Sequence, residues 1–252
     1  MSEIQPAPTH TTRQGLEFNT WLVMFAVVAI PVMLSLGFWQ LARAEEKTQA
    51  LADDAMRESR DPVTLQQLHA TDIETLDRTR VILSGHYIEG RDFLLDNRIH
   101  DRKVGYEVIS SFRDDSGHTV LVNRGWIDAP SARDLLPRVD YIDGNRRLAA
   151  DVRVAPVDRR NLEVLAESGW PKRIQAVDVA ALSRLADDNY YPHLMLLAPD
   201  EPGAYIADWP VVNMSPDKHR AYATQWFMMA VALFLVTIFG GTNMMEWIRK
   251  RG

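Results

Sequence analysis

The sequence predicts a membrane protein in which two transmembrane helices, one near each terminus, flank an extracytoplasmic domain of α+β or mainly antiparallel β type. Three observations point there. Two uncharged, strongly apolar stretches, residues 21–39 and 226–240, stand at opposite ends of the 252-residue chain. Residues 40–222 between them carry nearly all of its charge. Inside that middle region, short runs rich in Val, Ile, Leu, Phe and Tyr alternate with turns built on Gly and Asp.

In chain order, a polar segment over residues 1–20 reads as a cytoplasmic tail. Residues 21–39 are long enough for a spanning helix, the form in which a chain satisfies its own backbone when lipid cannot. Pro31 is tolerable there and can kink the helix. Ala42-Arg43-Ala44 has the small-x-small form of a cleavage site. The apolar run, however, exceeds the roughly 7–15 residues of a signal peptide, and its leader is barely basic, so an uncleaved anchor is expected. Residues 41–58, with neither Gly nor Pro, favour a helix continuing out of the membrane. Asp61-Pro62 stops it, and residues 63–68 allow one short further turn.

Four runs, 80–88, 92–96, 104–112 and 118–123, then read as antiparallel strands punctuated by Gly90, Gly105 and Asp114-Asp115-Ser116-Gly117. The last two form a hairpin across that turn. Residues 148–157 and 193–198 read as further strands. Residues 178–187 read as a helix with Val179, Leu182 and Leu185 as its buried stripe. The pattern is compatible with a partly closed small barrel. The second span needs its flanks, residues 222–225 and 242–245, to cross a core of roughly 30 Å at about 1.5 Å per residue. Taken as residues 223–242, it leaves a basic cytoplasmic tail at 243–252.

Composition excludes several classes. Outside residues 40–222 only Glu3, Glu17, Glu246, Arg13, Arg249, Lys250 and Arg251 are charged, which leaves 31 acidic and 24 basic residues in the middle. That acidic balance is no footprint for DNA or RNA, so no nucleic acid is expected as a partner. With no cysteine, disulfides, thiolate catalysis and Fe–S clusters are excluded. Arg249-Lys250-Arg251 just past the second span places the C-terminus in the cytoplasm, and two spans return the N-terminus there, so the domain faces the periplasm.

The most pointed local pattern is His219-Arg-Ala-Tyr222-Ala-Thr-Gln225-Trp226 at the mouth of the second span. Helical spacing puts His219, Tyr222, Gln225 and Trp226 roughly on one face. An imidazole there can ligate haem iron or another metal, with the aromatic rings against a porphyrin. An interfacial aromatic belt with a hydrated His219 accounts for the same residues. At the exit of the first span, Gly37 permits close helix approach, Trp39 sits at interface depth, and Gln40, Arg43 and Lys47 make one polar face. Carboxylates, lipid headgroups or water can satisfy it. In Asn123-Arg124-Gly125-Trp126 a tight bend at Gly125 would aim Trp126 into the core, and Arg124 could pair with Asp96, Asp101 or an external carboxylate. The other histidines lack zinc-like spacing, and Met228-Met229 and Met244-Met245 read as apolar filler. No catalytic residue is nominated, and an enzyme is not expected.

Together these residues resemble the Surfeit-locus cytochrome oxidase assembly family. The resemblance is carried by Gly37-x-Trp39-Gln40-Leu41-x-Arg43-x-x-x-Lys47, Gly85-x-Tyr87, Phe93 to Arg98, Gly105-Tyr106, Val120 to Trp126 and His219-x-x-Tyr222-Ala223-x-Gln225-Trp226-Phe227. It implies a plasma-membrane assembly factor of respiratory-chain complex IV, a haem chaperone that transiently binds haem a and assists its delivery into the catalytic subunit of cytochrome c oxidase. Haem a synthase is a further implied partner. By the same resemblance His219 becomes the axial metal ligand, with Tyr222, Gln225, Trp226, Trp39 and Arg43 around the cofactor. The alternative is a structural assembly factor that holds oxidase subunits without binding cofactor.

Overall fold

The computed structural model describes residues 19–68, 76–132, 135–154 and 169–240. In chain order its elements are α1 (Thr20–Glu58), β1 (Val63–Thr64), α2 (Leu65–Leu68), β2 (Arg80–His100), β3 (Lys103–Asp114), β4 (Thr119–Asp128), β5 (Arg146–Arg153), β6 (Lys172–Ile174), α3 (Val179–Ala186), β7 (Tyr190–Leu197) and α4 (Pro216–Phe239). They divide into two compact units, residues 1–50 with 212–252 and residues 51–211.

In the first unit, α1 and α4 are both long and apolar enough to cross a membrane. Only 11% of the most apolar window of either helix is buried, which is unlike the core helix of a water-soluble domain. Trp21, Phe25, Phe38 and Trp39 of α1 and Met228, Val231 and Phe234 of α4 are exposed apolar side chains, suited to lipid. Pro31 lies inside α1 without ending it. The buried positions are small: Ala26, Gly37 and Ala44 in α1, Ala223 and Ala230 in α4. Small residues let helix backbones approach where no water drives them together. At Gly37 an added Cβ would stand 2.5 Å from the Phe227 ring. Phe38 meets the same ring edge-to-face at 5.3 Å.

The second unit is a barrel. Strands β2, β3, β4, β7 and β5 pair in that order, and β5 returns to β2 to close it. All of these pairs are antiparallel except β4 with β7. Val81, Leu83, Phe112, Val120, Val122, Leu148, Ala150, Val152, Met195 and Leu197 fill the interior, with Leu65 and Leu68 of α2 packed in the same cluster. Alternate residues, among them Phe93, Ile109, Leu121, Leu194 and Leu196, form a second core outside the barrel with Val179, Leu182 and Ala186 of α3.

The structure revises several sequence boundaries. Runs 80–88 and 92–96 are one strand, because Gly90, at φ +65°, sits in a register shift between Tyr87 and Asp92 rather than in a turn. The strand expected at 118–123 runs on to Asp128, and the one at 193–198 starts at Tyr190. Residues 148–153 of the 148–157 run are strand; residues 155–157 lie outside the described residues. In α3 the buried stripe is Val179, Leu182 and Ala186, with Leu185 half-buried. Asp178 caps its N-terminus, its carboxylate accepting from Ala181 N–H at 3.0 Å. The expected hairpin is present, with Phe112 opposite Val120 and Arg113 opposite Thr119.

Candidate functional site at the mouths of the two long helices

Two polar side chains meet where α1 passes Trp39 and α4 begins. His219 Nδ1 lies 2.7 Å from Gln40 Oε1. A carbonyl oxygen only accepts, so Nδ1 carries the proton and donates it. The lone pair is then left on Nε2, the arrangement in which a histidine serves a metal while a neighbour fixes its tautomer. The next residue, Arg220, donates to Asp217 of its own helix at 2.9 Å and reaches Thr48 Oγ1 of α1 at 3.1 Å. The His219–Gln40 and Arg220–Thr48 contacts join α1 to α4 within the first unit.

The spacing-based face of α4 is unevenly covered. His219 and Trp226 are half-buried beside the fully buried Ala223, whereas Gln225 is exposed and Tyr222 is 46% exposed. On α1, the Arg43 guanidinium lies 5.7 Å from the Trp39 ring centre and donates to Glu46 at 2.5 Å. Trp39 and Arg43 thus form a cation–π pair four residues apart on the helix surface. What spacing did not reveal is the role of Gln40 as acceptor for His219. The signal available was its place directly after Trp39, at the depth where a polar side chain leaves the lipid.

A shallow apolar groove of about 420 Å³ runs along α4, lined by Thr224, Phe227, Met228, Val231, Ala232 and Leu235. It includes none of the expected site residues. Among the described residues no group of three or more His, Cys, Asp or Glu side chains could hold a metal ion.

Arg124 corrects an expectation. It pairs with neither Asp96 nor Asp101 but is 2% exposed inside the domain. There it donates to the carbonyls of Gly203 (2.8 Å) and Asp140 (3.1 Å) and to Ser110 Oγ (3.3 Å). Its guanidinium lies about 5 Å from the rings of both Tyr87 and Tyr205. Ser110 in turn donates to Asp92 at 2.5 Å, and burial holds the Asp92 carboxyl above the usual carboxylate range. Trp126 points inward as expected, donating from Nε1 to Arg98 O at 3.0 Å. This motif is structural.

A sequence profile of the SURF1 family matches residues 27–231, which takes in Trp39, Gln40, Arg43, His219, Tyr222, Gln225 and Trp226. The chain belongs to the SURF1 family. Among similar proteins, a SURF1-like protein of Rickettsia conorii is 28% identical over 220 residues, 84% of this chain and 87% of the relative. The cytochrome oxidase assembly protein SHY1 of Saccharomyces cerevisiae is 29% identical over 147 residues, 54% of this chain and 38% of the relative. A SURF1-like protein of Monosiga brevicollis is 28% identical over 141 residues, 51% of this chain and 54% of the relative. The matched stretches thus span about half or less of the yeast and Monosiga proteins.

Proposed function

We propose that this SURF1-family protein is a cytochrome c oxidase assembly factor that binds haem a between the mouths of its two long helices and assists its delivery into the catalytic subunit. The carrying observation is the hydrogen bond from His219 Nδ1 to Gln40, which leaves Nε2 free for iron. The donor set suits a porphyrin: one oriented imidazole, the rings of Trp39, Tyr222 and Trp226 for its apolar faces, and Arg43 or Arg220 for its propionates. Haem is the cargo in this reading, and a single weak axial ligand suits release to an acceptor. The exposed apolar flanks of both helices suit a lipid-facing carrier in the plasma membrane. The basic cluster Arg249-Lys250-Arg251 supports cytoplasmic ends and a periplasmic domain. The catalytic subunit and haem a synthase are the proposed partners, and the protein has no catalytic role of its own.

The test is the absorption spectrum of the full chain purified from cells that make haem a. The wild type is expected to carry haem. His219→Ala, at matched yield and with an unchanged thermal transition, should lose most of it or shift the ligand-dependent bands. Equal haem content and an unchanged spectrum in that variant would favour the cofactor-free scaffold.

A further inference from the structure

The domain of residues 51–211 holds a pocket of its own, of about 400 Å³ and with a different chemistry. Its floor is the outer face of β7, formed by Leu194 and Leu196, while Met195 and Leu197 point into the barrel. Trp209, Pro210 and Val177 add apolar walls. The indole is fixed, since Trp209 Nε1 donates to Leu197 O at 2.9 Å. The segment leading to it is pinned to β4 by hydrogen bonds between Trp126 and Ile206 in both directions.

Strand register sets the polar groups around this floor. Asn123 of β4 lies opposite Leu196, and Arg153 of β5 lies opposite Leu194. Glu107 also lines the pocket, but its charge is answered: Arg98 donates to one oxygen at 2.5 Å and Asn123 to the other at 2.7 Å. Arg153 is not answered. Its Nε–H is buried without an acceptor, and it forms no ion pair among the described residues. The remaining lining carboxylate, Asp208, is exposed to solvent.

The rest of Arg153 is half-buried and lines the pocket, so its guanidinium charge faces an apolar floor with no carboxylate partner among the described residues, and an incoming anion would supply one. A carboxylate offers two coplanar oxygens that match the guanidinium fork. A bare inorganic anion would leave the leucine floor wet, whereas a short hydrocarbon stem would cover it. The geometry points to a binding site for an organic carboxylate on an apolar stem, with Arg153 as its anchor and Leu194, Leu196 and Trp209 as the seat of the stem. The carboxylate comes either from a free organic acid or from an acidic side chain in an extended peptide. Neither His219 nor Gln40 takes part, so the site stands or falls separately from the haem proposal.

The full chain in detergent micelles tests this by calorimetric titration with 3-phenylpropionate, its neutral amide, and the capped tripeptide acetyl-Leu-Glu-Leu-amide. At least one carboxylate should bind, and the neutral amide should bind about ten-fold more weakly than 3-phenylpropionate. Arg153→Gln should weaken the carboxylate by about ten-fold or more, while His219→Ala leaves it unchanged. Asp208→Asn, which removes an exposed like charge, should tighten it by about two-fold, a gain that no folding defect produces. Tighter binding of the tripeptide than of the free acid assigns the site to a protein partner, and the opposite order assigns it to a small acid. Equal binding of acid and amide, or Arg153→Gln binding like wild type, or no carboxylate binding to the folded protein overturns the inference.

Discussion

At His219 the ring proton sits on Nδ1 because Gln40 Oε1 accepts it at 2.7 Å, so the lone pair is the one on Nε2. Removing that acceptor leaves the imidazole in place but free to change tautomer and to turn. Gln40→Leu should therefore lower haem affinity by about 10–100-fold, while Gln40→Glu, which still accepts, should retain it; haem titration of cofactor-stripped protein measures both. Inside the barrel, the Tyr87 hydroxyl is buried without a partner among the described residues, and burial pushes its phenol up to about 12. Its ring does the work, meeting Phe112 edge-to-face at 5.1 Å and the Arg124 guanidinium at 5.1 Å. Tyr87→Phe keeps both contacts and should be neutral or stabilising by about 1 kcal/mol in urea unfolding. His193 gives a pH dependence. Burial holds its imidazole below the ordinary range, against the pull of Asp77. The unfolded chain then takes up a proton near pH 6.5 before the folded one does. Stability present above about pH 6.5 should fall as pH drops toward the lower folded value, and His193→Gln should flatten that slope in urea midpoints.

The elements depend on a few close approaches. Gly37 leaves room for the Phe227 ring, so Gly37→Leu should push α1 and α4 apart. The chain has no cysteine, so Cys introduced at Gln40 and His219 can be joined by a short bismaleimide. That cross-link should form efficiently with Gly37 in place and fall several-fold with Leu there. Gly125 adopts φ +106°, and an added Cβ would lie 2.7 Å from the Ile206 carbonyl. Gly125→Ala should cost more than about 1 kcal/mol through the left-handed backbone and lost β4 packing. The helix at residues 41–58 was legible because an unbroken run of helix formers has one outcome. The split of β2 was misread because Gly90 marks a bulge as readily as a turn, and the choice is made by pairing with β3 and β5. The helix α3 was legible in its apolar stripe, whereas Asp178 and Asp187, expected inside it, are its caps. The short β6 was not legible, since three residues carry no periodicity.

For the whole molecule, two spans and a basic C-terminal flank make orientation testable. A phosphatase fused within residues 51–211 should be active and one fused after Gly252 inactive; the reverse pattern would invert the proposed topology. The two-span plan and the β-rich middle were readable because lipid and half-buried sheets impose periods that single residues report. A partly closed barrel was among the readings, but the pairing that closes it was not legible, because the parallel pairing of β4 with β7 joins distant stretches across a crossover without local signature. Nor could charge counting reveal Arg124 as a buried cation held by carbonyls and tyrosines. The Gln40–His219 hydrogen bond also has a consequence in time, since its partners stand 179 positions apart. A ribosome needs roughly ten to forty seconds to travel between them. Throughout that interval the nascent protein owns an anchor and a growing domain but only half of the imidazole clasp. The contact can close only after α4 has been made, so an interrupted translation product lacking α4 would lack the proposed haem site.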